Sequence, residues 1–285
     1  MTDPTVGPPG GVRQLGRLLS QAARAESIPE SRLRSWLSTR VLAAALDRAR
    51  DEQGGPVFLV RGGVAMELRL DLRSRATQDY DAVIRAQSRD LEAVVRKALK
   101  EDWHGFTFTP TPPETIRGSN AQRLVVQIDY RGQPWGKVKF EVAPAEGGTA
   151  SEHTPVAARH MDWARLPLPA EVDCVTLRYV AAQKLHASTE PPAHDGTVND
   201  RFRDVLDLLL LEPELKSSER DELNAACREI FELRGTHQWP PVLEAHPAWQ
   251  LGYETLCRDN DFEPSNLGEA AAQVNQLIGW IASGT

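Results

Sequence analysis

Asp79 and Asp81 stand two apart in "QDYDAVI", and two glycines, Gly62 and Gly63, precede them in "FLVRGGVAMELRL". Residues two apart on a strand point to one face, so the two carboxylates would lie side by side while Tyr80 turns to the other face. Adjacent anions repel, and solvent, basic groups or a divalent cation must relieve them. Carboxylates together with substrate phosphates are the usual ligands of Mg²⁺. Glu141 lies on a later alternating segment, facing opposite to Val138, Phe140 and Val142, and is a candidate third carboxylate. The three together would hold two divalent ions, which activate a hydroxyl and stabilise a leaving pyrophosphate. A strand that runs into Gly62-Gly63 and then a helix offers backbone N–H groups and a helix N-terminus to a phosphate. Thr77 adds a hydroxyl two residues before Asp79, on the same face if the strand begins that early. Each signal alone has a plainer reading. A pair of aspartates two apart is common on solvated strand edges, a glycine pair is common in tight turns, and a threonine is an ordinary turn or strand residue.

The elements that must position these groups follow from periodicity. Residues 12–27 and 31–50 read as two helices joined near Pro29, with Leu33, Leu37, Val41, Ala44 and Ala45 at helical spacing. Residues 57–60 form a short apolar strand, 64–72 a short helix and 80–84 a second strand. A helix is predicted over 88–102, with Ser88 as its cap and Asp90 and Glu92 in its first turn. "RLVVQIDYRG" and "WGKVKFEVAP" alternate strictly and read as a hairpin, with Leu124, Val126 and Ile128 on one buried face and Val138, Phe140 and Val142 on its partner. After a Pro-rich stretch at 155–172 the chain reads as helical, at roughly 174–187, 200–211, 217–231 and 265–282. The expected organisation is an N-terminal arm (1–11), a mixed-sheet domain with N-terminal helices (12–155) and a helical C-terminal domain (156–285), an α+β fold.

In that helical half Lys184 is out of place. Leu177 and Val180 precede it by seven and four residues, so it lies on or beside the apolar face of its helix. Asp204 shares a face with Leu208 and Leu211 in the same way. The plain readings are a lysine whose stem covers apolar surface and a helix carboxylate paired with Arg201 or Lys184. The functional readings are a point charge for a triphosphate, with Asp204 holding that lysine or accepting a nucleophile's proton. His186 is read as structural, and His194 falls in the same stretch. His153, His160, His237 and His246 show no ligand spacing with a cysteine or carboxylate, so zinc is not expected. Trp239 and Trp249 read as core or docking residues.

The 285 residues suit one large domain or two ordinary ones, and 41% hydrophobic with 26% charged residues is a globular composition. The net charge of −7 excludes general attraction of the surface to nucleic acid. A local patch is offered by residues 61–89, where Arg61, Arg69, Arg73, Arg75, Arg85 and Arg89 face Glu67, Asp71, Asp79 and Asp81, a balance of +2. Cys174, Cys227 and Cys257 are far apart and suggest neither a metal pair nor a disulfide framework. The N-terminus reads as no secretory signal, and no apolar run approaches the roughly 20 residues of a membrane span. A cytoplasmic protein is expected.

The order of these signals resembles the AbiEii-type toxin nucleotidyltransferase family. Gly62, Gly63, Arg75, Thr77, Asp79 and Asp81 match its strand, Gly-Gly turn, helix and Arg-x-(Ser/Thr)-x-Asp-x-Asp motif; Tyr80 departs from the more usual leucine. Lys184 matches its later lysine, and Arg201, Arg203 and Asp204 match the Arg-x-(Lys/Arg)-Asp run that follows. "HPAWQLGYETLCRDNDF" is similar to its C-terminal region, more loosely, and the resemblance covers roughly residues 55–285. It implies a polymerase-β-like nucleotidyltransferase core, followed by a helical C-terminal domain. Asp79 and Asp81 would be catalytic metal ligands with Glu141, for Mg²⁺ or Mn²⁺. Lys184 and Asp204 would also be catalytic, and Gly62, Gly63, Thr77, Arg75 and Lys184 would bind an NTP. The implied acceptor is RNA, above all the 3′ end of tRNA, with translation blocked, and the implied partner is a cognate antitoxin. Two other readings stand beside this one. A small-molecule nucleotidyltransferase, such as one acting on an aminoglycoside, would suit a negative surface. A catalytically inactive antitoxin-binding module would use the fold alone.

Overall fold

The computed structural model describes residues 7–77, 79–85, 90–117, 119–191 and 200–284. In chain order the elements are helices α1 (Val12–Glu26) and α2 (Glu30–Leu46), strand β1 (Phe58–Arg61), helix α3 (Gly62–Leu70), strand β2 (Asp79–Ile84) and helix α4 (Leu91–Ala98). Strands β3 (Phe106–Pro110), β4 (Glu114–Thr115), β5 (Gln122–Tyr130), β6 (Gln133–Pro144), β7 (Thr154–Ala157) and β8 (Glu171–Cys174) come next. Helices α5 (Leu177–Thr189), α6 (Phe202–Leu211), α7 (Arg220–Arg234), α8 (Gln250–Asp259) and α9 (Leu267–Ala282) complete the chain. The mixed α+β architecture agrees with the sequence. The contacts divide it into two units.

The first unit takes in the chain through Arg69, Ala76–Ala145 and His153–Cys174. Its sheet runs β3-β5-β6-β2-β1-β8-β7, with β4 beside β5. Pairing is parallel at β2/β6 and β1/β8 and antiparallel elsewhere. The β5–β6 hairpin turns on Arg131 and Gly132, both at positive φ (49° and 72°), the conformation of a two-residue turn that matches strand twist. Its predicted inward residues are all buried, and they pack with Leu15, Leu19, Leu37 and Val41 of α1 and α2. The outermost part of the expected N-terminal arm lies outside the described residues. Its inner end is anchored, since Pro9 accepts a hydrogen bond of 2.6 Å from the buried Tyr130 hydroxyl.

Several local expectations are corrected. The helix after β1 begins at Gly62 itself, not at 64. Ser88 lies outside the described residues; α4 is capped by Asp90, whose side chain accepts from Ala93 N at 2.9 Å, and it ends at Ala98. The Pro-rich stretch after 155 carries β7 and β8, which extend the first unit's sheet, because Val60 pairs with Cys174. Strands that short leave too few residues to alternate visibly.

The second unit comprises Leu70–Arg75, Glu146–Glu152 and everything from Val175. Its core is apolar residues at helical spacing: Val205, Leu208 and Leu211 of α6, Leu223, Cys227 and Ile230 of α7, and Val274, Leu277 and Ile281 of α9. Helix α8 was not anticipated from the sequence; it buries only Tyr253 and Cys257, and its Leu251 is exposed. Trp249 is buried and Trp239 donates to Asn224 Oδ1 at 2.9 Å, both serving the core. The three cysteines are buried and unbridged. Among the described residues no helix is long and apolar enough to cross a membrane.

Candidate active site

Strand β1 leads straight into α3, and the joint is pressed against β2. Gly62 adopts φ 61°, and a Cβ there would lie 2.2 Å from Asp81 Oδ2. A Cβ on Gly63 would lie 2.5 Å from Thr77 Oγ1. The glycine pair is therefore the hollow in which a carboxylate and a hydroxyl are seated at the N-terminus of a helix. Gly62→Ala is expected to displace Asp81 and to destabilise the protein by about 1–3 kcal/mol, since it adds both backbone strain and a clash. A thermal melt of the variant checks this; an unchanged transition would mean that the hollow yields freely.

Thr77 lies ahead of β2, so it is a loop residue and not part of the strand face. It is 8% exposed. Its N–H donates to Glu67 Oε1 at 3.2 Å, and its carbonyl accepts from Ser35 Oγ at 3.1 Å. These bonds set the approach to β2.

On β2 the alternation holds. Tyr80 is buried, its ring 5.4 Å from that of Phe140, and Asp79 and Asp81 take the opposite face. Register places Asp79 beside Lys139 and Asp81 beside Glu141. The Asp79 side chain is 42% exposed, with Lys139 Nζ at 3.6 Å from Oδ1. That same oxygen is buried and accepts no hydrogen bond. Glu141 is where strand alternation predicts it, but its Oε1 accepts from Arg123 Nε at 2.8 Å and Nη2 at 2.6 Å. Among the described residues no three carboxylate, imidazole or thiol groups converge as a metal site. The pair still fits a hard divalent ion, because Mg²⁺ takes one or two carboxylates and fills its remaining positions with water and phosphate oxygens. An under-coordinated carboxylate oxygen beside a second carboxylate, and a glycine hollow next to both, are the features such an ion and a phosphate require.

The second unit carries its own charge cluster. Lys184 is 8% exposed and donates to Asp204 Oδ1 at 2.9 Å and Asp207 Oδ2 at 2.6 Å. Arg75 grips Asp207 from its other side, Nε at 3.1 Å and Nη2 at 3.2 Å, and Arg201 Nη1 lies 3.2 Å from Asp204 Oδ2. Burial pulls the Lys184 pKa down, but Asp204 and Asp207 outweigh it and the net shift is upward. Burial likewise raises that of Asp204, and Lys184 and Arg201 reverse it, so the carboxyl titrates below its ordinary value. Arg203 stays outside this cluster, exposed and 3.7 Å from Asp200. Asp207 was missed in the sequence. Its signal was there: an acid three residues after Asp204, hence on the adjacent turn, inside the otherwise apolar "VLDLLLL".

His186 is structural. It is 2% exposed, packs its ring 4.8 Å from Phe231, and burial together with Arg234 and His237 pushes its pKa down to about 3. His194 lies outside the described residues. The arginines of the basic patch expected over 61–89 are divided between the two units. Arg73 and Arg75 belong to the second unit, where Glu214 and Asp207 match them. In the first unit Arg69 is drawn inward, and burial lowers its pKa against the influence of Cys174. Arg89 lies outside the described residues.

A family model described as the nucleotidyl transferase AbiEii toxin of type IV toxin–antitoxin systems matches residues 44–274. No curated protein sequence matches the chain significantly. Among solved structures, the fold is similar to that of MenT4, a nucleotidyltransferase toxin from Mycobacterium tuberculosis H37Rv, with a TM-score of 0.56 and 14% identity over 95% of this chain and 90% of that one.

Proposed function

The chain belongs to the AbiEii nucleotidyltransferase toxin family, and on that premise we propose that it moves a nucleoside monophosphate from an NTP onto the 3′ end of an RNA, above all tRNA, releasing pyrophosphate and blocking translation. In this reaction the acceptor hydroxyl oxygen bonds to the α-phosphorus, the bond from that phosphorus to the bridging oxygen breaks, and the hydroxyl proton is lost. The observation that carries the reading is the seating of Asp81 in the Gly62 hollow with Asp79 two residues away on the same face.

Asp79 and Asp81 would hold a divalent cation, Mg²⁺ or Mn²⁺. When bound, the ion supplies electrophilic stabilisation to phosphate oxygens and to the attacking hydroxyl. Gly62 and Gly63 turn the first backbone N–H groups of α3 toward a phosphate. Thr77 keeps the entry to β2 in register through its bonds to Glu67 and Ser35. Glu141 would be a third ligand in this reading, in place of its bonds to Arg123. Lys184 would meet the β and γ phosphates as a compact charge, with Arg75 and Asp204 as nucleotide-site residues around it. The lowered pKa of Asp204 suits it to holding the lysine and makes it a weak proton acceptor. A cognate antitoxin is the proposed protein partner.

The test is to incubate the protein with each α-labelled NTP, Mg²⁺ and total cellular RNA. Label at RNA 3′ ends is expected, together with growth arrest on expression that Asp79→Asn abolishes. Label that enters only small cationic acceptors would replace this reading with the small-molecule one, which the net charge of −7 favours.

A further inference from the structure

Resting on the reading above and deepening it, we infer that the acceptor RNA strand runs along the outward face of β6, with Lys139 and then Lys137 neutralising successive phosphates as they leave the acid pair. The inward residues of these strands, among them Phe108, Ile128, Val138 and Phe140, are buried in the core. The opposite face carries Asp79 and Asp81. Lys139 is the register partner of Asp79 on the next strand, about 4.8 Å away across the sheet. Lys137, two residues along, faces the same way about 6.8 Å further on. Its row continues across the sheet through Gln127 to Thr109.

Lys137, Lys139 and Thr109 are exposed in the whole chain, the Lys139 side chain at 59%. Arg61 stands level with Asp81 on the same face. Arg123 is held by Glu141, and Asp129 accepts from Gln127 Nε2 at 3.1 Å. The result is an exposed polar strip that starts at the carboxylate pair and carries its cations at phosphate-like intervals. A small acceptor would need a concave pocket to bind well, whereas a polynucleotide binds by charge along its backbone. On a protein of net charge −7 such a strip selects the path of the strand.

The test is Lys137→Glu assayed with two acceptors, an RNA of tRNA length and a dinucleotide too short to reach residue 137. The KM for the long RNA is expected to rise about tenfold, with kcat, the KM for NTP and transfer to the dinucleotide unchanged and the thermal melt superimposable. Lys137→Gln should reduce the slope of log kcat/KM against log salt by about 0.7, the share of one phosphate contact on a single strand. Lys137→Arg should restore the wild-type value. An unchanged KM and salt slope, or an equal loss with the dinucleotide, would overturn the inference while leaving the transfer reaction standing. Failure of the wild-type protein to label any RNA would instead overturn the reading on which the inference rests, and the inference with it.

Discussion

Asp79→Asn and Asp81→Asn are each expected to cut nucleotide transfer by about a thousandfold, or about 4 kcal/mol of barrier, with the melting transition unchanged or slightly raised. Asparagine keeps the shape of the side chain but removes the charge that binds the divalent ion. Both aspartates lie on the outward face of β2, while the inward face supplies Tyr80 and Ala82 to the core. In the absence of metal, neutralising one member relieves repulsion between the pair, hence the small gain in stability. Glu141→Gln should cost less than either, because its carboxylate is already bound by Arg123. The measurement is the initial rate at saturating Mg²⁺ and NTP, paired with a melt. Wild-type rates from either aspartate variant would remove the pair from the metal site.

Lys184→Met should affect both stability and activity. It strands Asp204 and Asp207 in the interior of the second unit, and removing one partner of a buried ion pair costs about 3–5 kcal/mol. Arg75 and Arg201 retain one carboxylate each, which places the loss toward the lower end of that range. Transfer should fall with all four NTPs and with no change in their ranking, because an ammonium on the β and γ phosphates does not read the base. Lys184→Arg should not restore it, the planar guanidinium being larger than the ammonium that Asp204 and Asp207 hold at 2.9 and 2.6 Å.

The pH dependence follows from the directions of shift. The Asp204 carboxyl is depressed, so its contribution is present above the ordinary carboxylate range and is lost as pH falls through the folded value. The Lys184 ammonium is raised, so its contribution is present below the ordinary lysine value and is lost only as pH rises beyond it. Stability of the wild-type network should therefore be flat between the carboxylate and lysine ranges. Denaturant melts of wild type and Lys184→Met across pH check this. A base-selective loss of activity would move Lys184 from the phosphates to the base pocket.

Much of the site was legible along the chain because its signals are local. A strand, two glycines, a helix and two acids two apart are fixed by periods of 2 and 3.6 residues, which any stretch of sequence displays by itself. The same holds for the inward faces of β5 and β6 and for Lys184 beside an apolar helix face. What only the tertiary structure decided is which partner each charge took. Glu141 had the right face for a metal but lay opposite Arg123 across a β5–β6 rung. Arg75 and Lys184 both converged on Asp207, which is 132 residues from the first and 23 from the second. Gly62 proved to be a seat for Asp81 and not merely a turn, because antiparallel β1 and β2 bring Arg61 level with Asp81. Strands β7 and β8 emerged from a Pro-rich stretch because β1 left an edge for β8 to pair with. The physical reason is common to all of these. Periodicity sets the face a side chain occupies, whereas pairing depends on which opposite charge or open edge the fold brings within about 4 Å, and that distance is a property of chain segments remote in sequence.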